Sequence, residues 1–149
     1  MTGLQWFKTI EEGGKTQVFD PLRKKYVKLT PEEEVRQKVL YLLVEHLGFP
    51  PGLIAVEYSV KVNGLDKRCD AVVFGKDATP TMIVECKASS VKITQDTLEQ
   101  AVRYYSALHP QYLLLYNGVD CYCFQTQDGI LTPMDHLPSN AEFGIRNSE

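Results

Sequence analysis

The stretch TMIVECKASS, residues 81–90, opens apolar at Met82, Ile83 and Val84 and turns polar at Glu85, Cys86 and Lys87. Side chains at i and i+2 of a strand share a face, so Glu85 and Lys87 are expected to emerge side by side. Upstream, GKDATP reads as a hairpin tip. Centring that turn between Asp77 and Ala78 pairs Phe74 with Thr81, Val72 with Ile83 and Asp70 with Glu85. Opposed residues hold their Cβ atoms about 4.5–5.5 Å apart, so Asp70 and Glu85 are predicted to meet on one face with Lys87 beside them. Two carboxylates that close repel unless one holds a proton or a cation lies between them. Oxygen donors select a hard cation, Mg2+ or Mn2+. A lysine alongside can orient or deprotonate a metal-held water, while the metal neutralises charge on a phosphate. The predicted chemistry is phosphodiester hydrolysis. The bland alternative is a salt-bridged strand end at the surface.

The elements that must position these residues are legible. In LTPEEEVRQKVLYLLVEHLGFPP, Thr30 is a suitable N-cap, Pro31 takes the first helical position and Glu33 falls where a capping box needs it. Gly48 and Pro50-Pro51 end the helix. At about 100° per residue, Val35, Val39, Leu42, Leu43 and His46 form one apolar stripe. Strands are predicted over Ile54–Val62, Asp70–Phe74 and Met82–Lys87, separated by NGLDKR and GKDATP. A second helix is predicted from Thr94 or Asp96 to Leu108. YLLLYNGVDCYCF then reads as two strands joined at Asn117-Gly118. This order implies an α/β fold with a mixed sheet flanked by helices, and a right-handed parallel crossover from the third strand through the second helix to the fourth. Residues 1–28 show no clear periodicity and are read as an arm anchored by Trp6, Phe7, Phe19 and Tyr26. Residues 29–125 form the expected core, and 126–149 a polar appendage or tail.

Composition narrows the classes. A chain of 149 residues with 44% hydrophobic and 23% charged positions suits one soluble globular domain. No apolar run could span a bilayer and the N-terminus lacks a signal peptide's apolar core, so a cytoplasmic, prokaryotic location without membrane contact is expected. Cys69, Cys86, Cys121 and Cys123 offer no C-x2-C pair, and His46, His109 and His136 are scattered. A zinc site or disulfide scaffold is therefore not expected. The net charge of −3 argues against a non-specific nucleic-acid coat, yet residues 1–30 carry six Lys/Arg against three acids. There, Arg23-Lys24-Lys25 and Lys28 form a candidate phosphate footprint.

Asp70 followed by Glu85-Cys86-Lys87 at the end of an apolar strand resembles the D…E-x-K signature of the PD-(D/E)XK nuclease superfamily. More narrowly, the helix sequence above, KRCDAVVF, IVECKA, ITQDTLEQAVRYYSAL and LLLYNG resemble the nuclease-type domain at the N-terminus of type I restriction enzyme R subunits. The resemblance covers residues 19–125, although Cys69 stands where that family often has Pro. It implies a restriction-endonuclease-like α-β-β-β-α-β-β core. It also implies Asp70 and Glu85 as metal ligands, the Cys86 backbone carbonyl as a further ligand, and Lys87 as the water-activating base. An acid from the first helix is expected to join them; the apolar stripe and the E-x-x-V-R pattern select Glu32, leaving Glu33 to cap the helix. Arg36 is expected to pair with Glu32 or to contact a phosphate. Gln100 and Tyr104 match a Q-x3-Y element and would hydrogen-bond the active-site groups or a substrate phosphate. Lys67, Arg68, Lys92 and Arg103 are candidate phosphate contacts.

The reading that follows is a Mg2+- or Mn2+-dependent nuclease acting on DNA, with RNA also admissible. The alternative is a non-catalytic nucleic-acid-binding or partner-docking module that keeps the fold. There is no G-x4-G-K-[ST] loop, so motor, specificity or other protein subunits are expected as partners, as is a second copy of the chain.

Overall fold

The computed structural model describes residues 2–143. Thr30 caps the first helix, α1 (Pro31–Tyr41), with its hydroxyl accepting from the N–H of Glu33 at 3.0 Å. Only that half of the expected capping box forms, because the Glu33 carboxylate is taken up elsewhere. The helix runs on through a π turn at Leu42–His46, closed by the Leu47 N–H on the Leu42 carbonyl. Gly48, at φ +78°, turns the chain out.

The six-stranded sheet follows: β4 (Ile54–Val62), β5 (Leu65–Phe74), β6 (Pro80–Cys86), β7 (Tyr112–Tyr116), β8 (Cys121–Gln127) and β9 (Ile130–Pro133), neighbours in that order. All pairs are antiparallel except β6 with β7, which are joined through α2 (Gln95–Tyr105) as the crossover requires. Over residues 29–127 the predicted order of helix, three strands, helix, two strands is the order found; three strands precede it, and a strand and a short helix follow. β5 begins earlier than expected: Asn63 and Gly64 (φ +52° and +80°) suffice as a two-residue turn, so Lys67 and Arg68 lie on the strand. The Asn117 turn is longer than a two-residue hairpin. Its Oδ1 accepts from Val119 and Asp120, and its N–H donates to the Asp120 carbonyl.

Two helices cover opposite faces. Val35, Val39 and Leu43 of the α1 segment pack on Ala71, Val73, Met82, Val84 and Leu114; Ala101 and Tyr105 of α2 pack on Val72, Ile83, Leu113 and Leu115. Each central strand is apolar on both sides, which explains its unbroken hydrophobic run.

The N-terminal arm is a second, three-stranded sheet: β1 (Thr9–Glu12), β2 (Lys15–Asp20) and β3 (Lys25–Lys28). Gly13 and Gly14, at φ +59° and +77°, build its first hairpin turn. Of the expected anchors, Trp6 packs edge-on against Tyr41, and Phe19 and Tyr26 pair across the strands; Phe7 is about half exposed. This sheet supplies α1 with a second covering, so the helix buries a polar stripe of Glu33 and Gln37 together with Leu40 and Val44. His46, expected in the apolar stripe, is exposed.

Beyond residue 125, β9 extends the main sheet and α3 (Asn140–Phe143) stacks Phe143 on Tyr112 and against Phe49. Residues 144–149 of the expected tail lie outside the described residues. All four cysteines are free; Cys123 is buried and Cys121 exposed.

Candidate active site

The site lies where β5 and β6 stop pairing. Val72 faces Ile83 and Ala71 faces Val84 as predicted, while a bulge moves Phe74 onto Pro80 in place of Thr81. The recorded pairing ends one step short of Asp70 and Glu85. Here the strict alternation of side chains fails. Cys69 and Val72, three residues apart, both join the α2-side core, and Ala71 joins the α1-side core. The neighbouring strand is irregular at the same level. Glu57, opposite Asp70 by register between Val56↔Ala71 and Tyr58↔Cys69, sits at φ +58°, a conformation rare for a residue with a Cβ.

The break redirects Asp70, which is 8% exposed. Its Oδ1 accepts from Arg36 Nη2 at 2.9 Å, and its Oδ2 accepts from the Cys86 N–H at 2.7 Å. A side-chain oxygen thus takes a strand N–H at the end of the ladder. Glu85 is gripped from the other face: the Tyr105 hydroxyl donates to its Oε1 at 2.9 Å. The two carboxyl groups were expected on one face, and their hydrogen-bond partners instead come from opposite faces. They remain within electrostatic reach. Burial, and then the Asp70 charge, push Glu85 up to about 7, with the Tyr105 hydrogen bond, Lys87 and Lys67 pulling it back. The charges of Asp70, Arg36, Glu85 and Glu32 all act on the buried Cys86 thiol, whose titration is raised chiefly by desolvation.

Other expected residues are placed as follows. Glu32 is exposed in the first turn of α1. Glu33, assigned only to capping, is 7% exposed and accepts from Arg23 (2.8 Å), Arg36 (2.7 Å) and Gln37 (3.0 Å). Arg36 therefore pairs with Glu33 and Asp70, with Glu57 at 3.4 Å, and not with Glu32. Arg68 is drawn onto Glu57 at 2.8 Å. Lys67 lies over the Tyr104 ring, 4.6 Å from its centre. Gln100, Lys92 and Arg103 are exposed, and Lys87 is partly buried.

The roles of three residues are not legible in the sequence. Tyr105, next to the expected Tyr104, is the tyrosine that reaches the site; a tyrosine on the apolar face of a helix must find a partner for its hydroxyl, and that is the signal that could have marked it. Arg23 joins Asp20 (2.6 Å), Glu33 and Glu57. Glu57 accepts from Arg23, Arg36 and Arg68. No local pattern marks Glu57, since its role follows from the kink.

Among the described residues, no three His, Cys, Asp or Glu side chains gather closely enough to hold a metal ion. The donor chemistry at the strand ends, two carboxyls and the Cys86 carbonyl, fits a hard cation that completes its shell with water.

A mixed sheet covered by a helix on each face, with Asp70, Glu85 and Lys87 at the ends of adjoining strands, defines an α/β domain. The family model for the type I restriction enzyme R protein N terminus (HSDR_N) matches residues 31–138, and the chain belongs to that family. It is similar in fold to a fragment described as an HsdR subunit of a type I restriction enzyme from Vibrio vulnificus YJ016, with TM-score 0.57 and 20% identity; the match covers 79% of this chain and 25% of that one. A chain described as a DUF820 nuclease from Anabaena variabilis ATCC 29413 aligns at TM-score 0.49 and 9% identity over 90% and 92% of the two chains. A DrdV–DNA complex aligns at TM-score 0.40 and 13% identity over 74% and 12%. Those last two likenesses are too loose to carry weight. This chain spans a quarter of the length of the Vibrio chain. No curated protein matches it significantly.

Proposed function

We propose that the chain is a divalent-metal-dependent nuclease domain that hydrolyses DNA phosphodiester bonds. The observation that carries this reading is the partly buried Glu85 at the end of β6, held by the Tyr105 hydroxyl at 2.9 Å next to the buried Asp70, with Lys87 two residues on; burial and then the Asp70 charge push its titration up to about 7. A carboxyl pair under that mutual repulsion is poised to exchange a proton for a cation. Asp70, Glu85 and the Cys86 carbonyl would hold Mg2+ or Mn2+, with Glu32 reaching in from α1. The bound ion would neutralise phosphate charge and acidify water. Lys87 orients or deprotonates the attacking water, whose oxygen bonds to phosphorus as the bond to the leaving sugar oxygen breaks. Tyr105 fixes the Glu85 carboxyl. Lys67, Lys92 and Arg103 would meet backbone phosphates, and Gln100 and Tyr104 would hydrogen-bond the active-site groups or a substrate phosphate.

A second reading, a non-catalytic nucleic-acid-binding or docking module, is favoured by one observation: both Asp70 oxygens are already occupied by donors. Incubating the purified chain with Mg2+ or Mn2+ and supercoiled, linear or single-stranded DNA separates the two. Lys87→Ala is expected to lose cleavage while still folding and binding metal; Asp70→Asn is expected to lose both cleavage and metal binding. Normal cleavage by Asp70→Asn would place the metal site elsewhere.

A further inference from the structure

The grip of Arg36 on Asp70 raises a problem for any cation that approaches the same carboxylate. Both side chains are nearly enclosed, at 12% and 10% exposure. Asp70 has one oxygen on the guanidinium and the other on the Cys86 N–H. A dication on Asp70 would therefore sit beside a fixed positive charge, in surroundings where water screens little. Arg36 is not fastened by Asp70 alone. Its Nη1 donates to Glu33 at 2.7 Å and lies 3.4 Å from Glu57. Its Nε is buried without an acceptor. The guanidinium thus has an anchor that survives the loss of Asp70, and an arrangement that does not satisfy all of its donors.

We propose that Arg36 is the site's internal counter-cation: it neutralises and positions Asp70 in the metal-free protein, and gives up that carboxylate when a divalent ion binds, staying tethered to Glu33. Arg36 is a positioning residue here, not a ligand or a base. The inference rests on the metal-site reading above and adds a competition to it. Metal and guanidinium share one carboxylate, so each weakens the hold of the other.

The test is Mn2+ and Mg2+ binding to the full chain by calorimetry, with Asp70→Asn as the site control. Arg36→Gln removes the competing charge and is expected to bind Mn2+ at least fivefold more tightly than wild type, while Arg36→Lys stays within about twofold. A merely structural arginine would give the opposite result, because its loss would loosen Asp70 and weaken binding. Equal or weaker binding by a folded Arg36→Gln overturns the proposal while leaving the metal site standing. Absence of binding in wild type overturns both. Should Arg36→Gln not fold, the wild-type protein still decides. In carbon-detected NMR, the Arg36 guanidinium resonances should move with the same midpoint as Mg2+ binding. Resonances that stay fixed through saturation would end the idea.

Discussion

Glu85 is a carboxyl whose burial works against its own charge, and that has a consequence in solution. Its folded-state value of about 7 stands above an ordinary value of 4.5, so between those limits the folded chain binds more protons than the unfolded one. The sign is fixed by linkage: this contribution to stability is fully present below about 4.5 and is lost as pH rises through 7. The ceiling is about 3 kcal/mol before relaxation and screening. Metal-free protein is therefore expected to melt at progressively lower temperature as pH rises from 5 to 8, and Glu85→Gln should flatten the curve and raise the melting temperature at pH 8. Mg2+ should reverse part of the loss in wild type, by about 1.4 kcal/mol at tenfold excess over Kd, and less towards pH 5. A melting temperature in wild type that is level across this range would remove the case for a strained Glu85.

At the scale of elements, the three-stranded sheet and α1 are fastened by charge as much as by apolar packing. Asp20 is fully buried and accepts from the N–H groups of Leu22 and Arg23, from Arg23 Nε and from Gln37. Arg23 carries the link onward to Glu33 and Glu57. Removing one partner of a buried ionic cluster leaves charge without compensation, at about 3–5 kcal/mol. Arg23→Ala is thus expected to lower the urea unfolding free energy by that order, whereas Lys24→Ala, one residue away and exposed, should change it by about 0.5 kcal/mol or less. Equal effects would mean that the cluster is not what holds the sheet to the helix. This is also where sequence reading ran short. The helix α1, the strands β4 and β6 and the pairing of Val72 with Ile83 were legible, because apolar period, capping and turn residues act locally. The choice of Glu32 over Glu33 failed as a statement about burial because a helical wheel assumes one covering surface, and α1 has two. The shared face of Asp70 and Glu85 failed because a period of two presupposes a regular pleat, which Glu57 interrupts. Tyr105 was hidden by its neighbour, since Tyr104 fitted the motif and Tyr105 fitted the core.

For the molecule as a whole, charge is distributed by duty. Arg23 and Arg36 are engaged by buried acids and Arg68 by Glu57; with Arg23 taken up, the candidate phosphate footprint at the arm reduces to Lys24, Lys25 and Lys28, all exposed. If the arm meets DNA, replacing these three with Gln should weaken binding without regard to sequence and reduce the slope of log K against log salt by up to about 3. Electrophoretic mobility shifts at several salt concentrations check this, and an unchanged slope would assign the arm a purely structural role. Within the described residues no helix is long and apolar enough to cross a membrane.

The left-handed residue Glu57 has a further consequence outside the site. β4 is an outer strand of the six-stranded sheet, and a nine-residue outer strand normally offers a straight row of unpaired N–H and C=O groups to any extended chain that passes. A single left-handed residue in its middle interrupts that row, so an incoming strand could follow it regularly for only a few residues on either side. At the opposite margin, β9 is four residues long and ends on Pro133, which has no N–H to offer. The same kink that lies opposite Asp70 thus also protects the protein against accretion of its own kind.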